Sequence, residues 1–231
     1  TQGYSSAASD VYKRQMQLVS GQFPKSVTSV LENGVTYPVD LTISRQQLAL
    51  EFREVRDWVK QTSQQKRLLN LFSAETGVVT AAMLGGAVEA ITVDPTNRAT
   101  TTIQAQLAAN NLDQAAVEMR TMDVPNYLDY AIKHGLTFDT ITINPPAFIR
   151  GKKRAFTLEQ DLPALVAQAL QVAQSGSQIL VTTTTPTYSM KRLKQAVSDA
   201  TQNYPGHVTA STEFHAPADF LQNDADRHSE A

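Results

Sequence analysis

The apolar residues of this chain fall in short β-branched runs that alternate with stretches of helical spacing. Ser26–Leu31 and Val35–Leu41 flank Glu32-Asn33-Gly34. Asn-Gly between two such runs is the strongest short hairpin signal, because both turn residues must adopt φ > 0. Ser44 stands where it could cap a helix over Arg45–Lys60, in which Leu48, Phe52, Val55, Trp58 and Val59 recur at helical intervals. Trp58 reads as a packed core residue. Beyond it the pattern predicts a strand at Arg67–Ser73, a helix at Val78–Gly86 and a strand at Val88–Asp94. Pro95 suits the first turn of a helix that runs towards Asn110. Further strands are predicted at Val117–Asp123, Phe138–Asn144 and Gln178–Thr185, the last holding the four threonines Thr182–Thr185. Helical spacing recurs at Tyr127–His134, Leu158–Ala173 and Met190–Gln202, and His207–Phe214 reads as a sixth strand. This alternation predicts an α/β fold, a Rossmann-like doubly wound parallel sheet preceded by a β-hairpin.

Length and composition narrow the picture. A chain of 231 residues can bury one good core but not two large ones. Hydrophobic content of 42% against 18% charged suits a globular domain. The net charge of −2 creates no general basic field, so any nucleic-acid contact must be local. The chain has no cysteine, which excludes disulfides, thiolate metal sites and a thiol nucleophile, and suits a reducing cytoplasm. His134, His207, His215 and His228 lack metal-ligand spacing, so no metal is expected. No apolar run is long enough to span a bilayer, and the polar N-terminus lacks the apolar core of a signal peptide. Ser5–Gln15 resembles the translation of an adapter used in sequencing libraries. Residues 1–15 are therefore set aside as non-native.

The candidate chemistry lies at strand ends. In open α/β sheets the carboxyl ends of the strands line the ligand crevice. Ile141-Thr142-Ile143-Asn144-Pro145-Pro146-Ala147-Phe148 is a strand that stops at a proline, which cannot donate to a sheet ladder. The proline also holds Asn144 extended, so its amide leaves the strand in a fixed direction. Asn144, the carbonyls of Pro145 and Pro146, and the face of Phe148 together suit a flat ring bearing an amine, such as a nucleobase. The same residues also read as a proline-stopped strand with a core phenylalanine. Asp94 and Asp123 end two further strands; one could accept both hydroxyls of a ribose and the other an adenine amine, though each could equally cap a helix. The first turn, Ser73-Ala74-Glu75-Thr76-Gly77, has one glycine and an acidic residue where a diphosphate would be repelled. A phosphate-free nucleoside cofactor, S-adenosylmethionine (SAM), is favoured over a dinucleotide. Arg150, Lys152, Lys153 and Arg154 form a basic cluster that reads either as phosphate contacts or as a solvated loop.

From Glu32 onward the chain resembles the class I SAM-dependent rRNA methyltransferases of the large-subunit cytosine/guanine type. Leu31–Val35 is similar to that family's hairpin, Leu50–Arg56 to its Leu-Asp-Gln-Arg segment, and Leu71-Phe72-Ser73 with Gly85-Gly86-Ala87 to its first strand, loop and helix. Val93-Asp94 and Met122-Asp123-Val124 resemble its ribose and adenine positions. Asn144–Phe148 with Lys152-Lys153 resembles its catalytic Asp-Pro-Pro-Ser-Phe loop, and Pro217–Phe220 a segment near its C-terminal hairpin. The resemblance implies a SAM site formed by Arg53, Phe72, Ser73, Gly77, Asp94, Asp123 and Asn144. It implies a catalytic loop of Asn144, Pro145, Pro146 and Phe148, and an RNA contact at Arg150, Lys152, Lys153 and Arg154. It divides the chain into an N-terminal segment with the hairpin at 16–43 and a methyltransferase domain at 44–231 that lacks its last strand. Three departures matter. Ala74 and Glu75 replace an aromatic-threonine pair. Asn144 replaces the catalytic Asp and is the residue that amino-group methyltransferases use. The fifth strand ends in Thr183-Thr184 where cytosine-C5 members carry the cysteine that forms a covalent adduct, so that chemistry is excluded. The expected activity is SAM-dependent methyl transfer to a base nitrogen of ribosomal RNA. A non-catalytic module of the same fold that binds RNA or protein, and a small-molecule methyltransferase, stand as alternatives, because fold alone does not decide function.

Overall fold

A computed structural model describes residues 27–40, 48–73, 76–150, 155–185, 187–209, 212–215 and 217. The expected adapter string, the Ser44 cap, Glu75, Lys152, Lys153, Arg154 and most of Pro217–Phe220 lie outside them.

Strands β1 (Thr28–Glu32) and β2 (Val35–Val39) form the antiparallel hairpin, with Asn33 at φ 50° and Gly34 at φ 75°. These are the two positive φ values that its tight turn demands. After a 3-10 turn at Leu50–Phe52, helix α1 runs Arg53–Thr62, later than the expected start. The central sheet holds β3 (Arg67–Leu71), β4 (Glu89–Asp94), β5 (Val117–Thr121), β6 (Phe138–Ile143) and β9 (Ala173–Val181). Its spatial order is β5-β4-β3-β6-β9, and every pairing is parallel. Helices α2 (Gly77–Leu84), α3 (Thr100–Ala109), α4 (Val124–Lys133) and α5 (Leu158–Gln171) make the four crossovers, and α6 (Met190–Thr201) follows β9.

Side chains alternate along the strands, so two cores form. Leu69, Leu71, Ile91, Val93, Ile141 and Ile143 pack towards α4, α5 and α6. Leu68 and Ala90 pack with α1, α2 and α3. Helices α1 and α2 meet so closely at Gly85 that a Cβ there would stand 2.0 Å from the Lys60 carbonyl oxygen.

The hairpin is pinned to this body. Tyr37 and Val35 are buried, and the Asn110 side chain accepts from Thr36 N at 2.8 Å and donates to Thr36 O at 2.7 Å, acting as a stand-in strand. Arg56, only 1% exposed, donates through Nε and Nη2 to the two Glu32 carboxylate oxygens, each at 2.8 Å. Its Nη1 donates to Ala49 O at 2.7 Å, and its guanidinium lies 5.5 Å from the Tyr37 ring centroid.

Several expectations are corrected. Residues 207–209 and 212–214 form no strand. Phe214 instead packs edge-on against Trp58 at 5.7 Å, and Glu213 is held by Lys194 at 2.7 Å. The last strand begins at Ala173 and ends at Val181, leaving Thr182–Thr185 outside it. There the Thr183 hydroxyl accepts from Thr185 N at 3.1 Å, a side-chain turn that competes with strand. Among the described residues β9 pairs with β6 alone. No described helix is long and apolar enough to cross a membrane.

Candidate active site

The chain leaves β3 outwards to β4 and β5, then returns across the sheet to β6. The strand order reverses between β3 and β6, and the crevice outside their carboxyl ends is the expected ligand site. A ladder of backbone hydrogen bonds aligns the strand tips there. Thr182 N donates to Ile143 O (2.9 Å), Asn144 N to Leu71 O (3.2 Å), Phe72 N to Val93 O (2.9 Å) and Met122 N to Asp94 O (2.9 Å). Phe72, Asp94 and Asn144 therefore stand side by side on adjoining strands, spaced by about 5 Å per strand.

Each tip has its own character. Phe72 terminates β3 at φ 62°, a left-handed conformation that strains a bulky side chain by about 1–3 kcal/mol and tends to mark ligand sites. The buried Phe72 ring rests on Phe156 at 5.6 Å. Asp94 organises the neighbouring loops. Its Oδ2 accepts from Ser73 N at 3.1 Å, and its Oδ1 accepts from Thr96 N at 2.7 Å and Thr96 Oγ1 at 2.8 Å. Beside it a hollow is lined by Ser73, Thr92, Asp94, Thr96, Thr100, Met119 and Arg120. Asp123 is exposed and caps α4, its Oδ1 accepting from Asn126 N at 3.2 Å. Gly77 is the buried first residue of α2, and its carbonyl lies 3.5 Å from the Tyr37 hydroxyl.

Asn144 is 8% exposed, and its Oδ1 has no hydrogen-bond partner among the described residues. A buried amide oxygen without a donor costs about 1–3 kcal/mol, so this one is a candidate to receive a donor; Tyr127 Oη and Thr140 Oγ1 are likewise buried without a partner among the described residues. Pro145 is buried beside it, whereas Pro146 is exposed. The chain then forms a feature absent from the expectations: strand β7 (Phe148–Ile149) pairs antiparallel with β8 (Phe156–Thr157). Ile149 and Phe156 share the face packed on the core, while Phe148, 59% exposed, stands on the other. Arg150 is exposed at the start of the connection. Arg53 lies elsewhere, on α1, where it lines an open groove with Asn33, Glu54, Asp57, Trp58 and Gln61.

Sequence reasoning passed over Asn70, Thr92 and Thr142, which form a buried polar row under the crevice, and Thr96, which braces Asp94. A signal for the row was present: Asn70, Thr92 and Thr142 each stand between apolar neighbours inside a strand, although β6 holds a second buried threonine, Thr140.

A parallel sheet that brings a loop-bracing carboxylate, a left-handed turn and an unpartnered buried amide to its switch point defines a nucleoside-binding α/β domain. The chain belongs to the S-adenosylmethionine-dependent methyltransferase family, whose model matches residues 11–223. It is 34% identical over 202 residues to YwbD of Bacillus subtilis (strain 168), named as a candidate ribosomal RNA large subunit methyltransferase, covering 87% of this chain and 50% of that one. It is 26% identical over 202 residues to ribosomal RNA large subunit methyltransferase I of Cronobacter sakazakii, covering 87% and 51%. Among solved structures it is similar to SMU.776, a candidate methyltransferase crystallised with SAH, with a TM-score of 0.81, 30% identity and coverage of 89% and 54%. The chain spans about half the length of the curated relatives it matches.

The family cofactor is SAM, and the crevice suits it. Phe72 ends β3 in a left-handed turn, and a carboxylate stands on the rim without a phosphate-binding glycine run. The Asn144 amide oxygen has no donor among the described residues.

Proposed function

We propose that this chain is the catalytic part of a methyltransferase that modifies a base of large-subunit ribosomal RNA by direct methyl transfer to nitrogen. The observation that carries the reading is the buried, unpartnered Oδ1 of Asn144 at the switch point, one strand from Phe72 and two from Asp94. The names of the relatives support an RNA substrate.

SAM supplies an electrophilic methyl group on a sulfonium. Ser73, Asp94 and Asp123 would hold its nucleoside, with the Asp94 carboxylate oriented by the Ser73 and Thr96 amides towards a ribose. Asn144 Oδ1 would accept an N–H of the target amine, with the Pro145 carbonyl as its neighbour, and so aim the nitrogen lone pair. The nitrogen forms the new N–C bond as the methyl leaves sulfur, and its surplus proton passes to water. Asn144 cannot take that proton, so its contribution is position rather than basicity. Phe148, held out on the β7–β8 hairpin, offers a stacking face for an extruded base, worth about 1–3 kcal/mol. Arg150 and the basic residues that follow it would meet phosphates. Carbon-5 methylation through a thiol adduct has no cysteine to use.

The test is a calorimetric titration of S-adenosylhomocysteine (SAH) into the chain, with Asp94→Ala as control and circular dichroism to confirm folding. Saturable binding that Asp94→Ala abolishes is expected, and a folded wild type that takes up no SAH refutes the cofactor reading. Incubation with large-subunit rRNA and SAM, followed by mass spectrometry of the digested nucleosides, should find an N-methylated base. A C5-methylated pyrimidine would overturn the assignment to nitrogen.

A further inference from the structure

A row of buried side chains runs under the crevice, linking the strand that carries Asn144 to the strand that carries Asp94. Asn70 on β3 stands in register with Thr142 on β6 and with Thr92 on β4. Thr142 Oγ1 donates to Asn70 Oδ1 at 2.7 Å, Asn70 Nδ2 donates to Thr92 Oγ1 at 3.1 Å, and the Thr92 and Ser73 hydroxyls meet at 2.5 Å. All four residues are buried. Stability does not demand this row, because apolar residues of the same shape would fill these positions at little cost.

The direction of the row follows from donor and acceptor supply. Turning the Asn70 amide over would leave the Thr142 hydroxyl facing an NH2 group, with no acceptor for its hydrogen among the described residues. The Thr92 oxygen receives the Asn70 N–H, and the acceptor within reach of its own hydrogen is Ser73 Oγ. Ser73 is then left with an O–H to give, and it lines the hollow beside Asp94 and Thr96.

We propose that Asn70 and Thr92 are positioning residues: they fix the Ser73 hydroxyl as a donor at the crevice rim beside Asp94, for an acceptor atom of the nucleoside cofactor, and tie the cofactor wall to the strand bearing Asn144. This rests on the cofactor reading above. The hydroxyl that touches the ligand is that of Ser73; Thr92 acts one bond behind it and Asn70 two.

Calorimetry with SAH on the full chain tests this, with urea melts alongside. Ser73→Ala and Thr92→Val should each weaken binding about tenfold, the upper end for one hydrogen bond. The double variant should bind no more weakly than Ser73→Ala alone, because both act through one hydroxyl. Thr92→Ser, which keeps the hydroxyl, should restore wild-type binding even where it melts earlier, a result that a purely structural role would not produce. Asn70→Leu should behave as Thr92→Val; if it does not fold, the Thr92→Val and Thr92→Ser pair decides alone. Wild-type affinity in folded Thr92→Val, or additive losses in the double variant, overturns the relay while leaving the cofactor site standing. No SAH binding by the folded wild type overturns both.

Discussion

Replacing Arg56 by Met should cost this protein a large part of its stability. The guanidinium is 1% exposed and the Glu32 carboxylate 12%. Methionine fills much of the same volume but leaves Glu32 without either of its two 2.8 Å donors and Ala49 O without its 2.7 Å donor. Breaking a buried ion pair from one side costs about 3–5 kcal/mol, because the remaining charge is uncompensated. Total stability of a domain of this kind is about 5–15 kcal/mol, so the loss is large enough to shift a melting curve decisively. Urea denaturation followed by circular dichroism would measure it, with Glu32→Met and the double variant Arg56→Met/Glu32→Met completing a cycle. The double variant removes both charges and should recover at least about 2 kcal/mol of the single-variant loss. A loss below about 1 kcal/mol in Arg56→Met, or a double variant no better than the single, would refute the view that this pair clamps the hairpin to helix α1.

Three further outcomes are expected. Burial, helped by the negative charge of Glu118, pushes the Tyr127 hydroxyl up from 10.0 to about 12. The stability it affects is therefore intact below about pH 10 and falls as pH rises through 12. Its hydroxyl has no partner among the described residues, so Tyr127→Phe should be no less stable than wild type at pH 7 and should lose less stability between pH 10 and 12; identical alkaline losses in urea melts would contradict this. Gly85→Ala should destabilise by about 1–3 kcal/mol, since its Cβ would collide with the Lys60 carbonyl, and an unchanged urea midpoint would show that the helices separate freely. Phe148→Ala should leave folding and SAH affinity unchanged while weakening RNA binding by about 1–3 kcal/mol, read by filter binding at fixed salt.

The parts of the fold legible in the sequence were those where a local rule and the tertiary structure agree. Asn33-Gly34 declared its turn because few other pairs tolerate both φ values. The inner strands β3, β4 and β6 were legible because strands covered on both faces are largely apolar, whereas the edge strands β5 and β9 carry exposed polar residues; strand ends were not legible, since Phe72 stops β3 through a left-handed turn no propensity announces. His207–Phe214 had a strand's composition, but long-range contacts to Trp58 and Lys194 decided otherwise. The β7–β8 hairpin, with two residues per strand, is too short to show any period. Within the candidate site, Asn144 and Asp94 were visible because each stands where a strand stops. Asp123 was equally visible as a helix cap, the role its carboxylate holds. Asn70 was hidden because a polar residue inside a strand acquires meaning only when register supplies Thr92 and Thr142 on either side. Arg56 was hidden because nothing in a helical charge pattern distinguishes a buried arginine from a solvated one.

The β7–β8 hairpin is inserted whole between the end of β6 and the start of α5. It leans on the rest of the domain through the contact of Phe156 with Phe72 and the bond from Leu158 N to Ala147 O. On the proposed reading, everything that meets the RNA target, from Asn144 to the basic connection, is encoded in one stretch of little more than ten residues, apart from the wall that receives the cofactor. Such a stretch can drift, lengthen or be exchanged between genes while the methyl donor site stays under its own selection. A lineage carrying this domain could thus acquire a new substrate by rewriting a single short cassette.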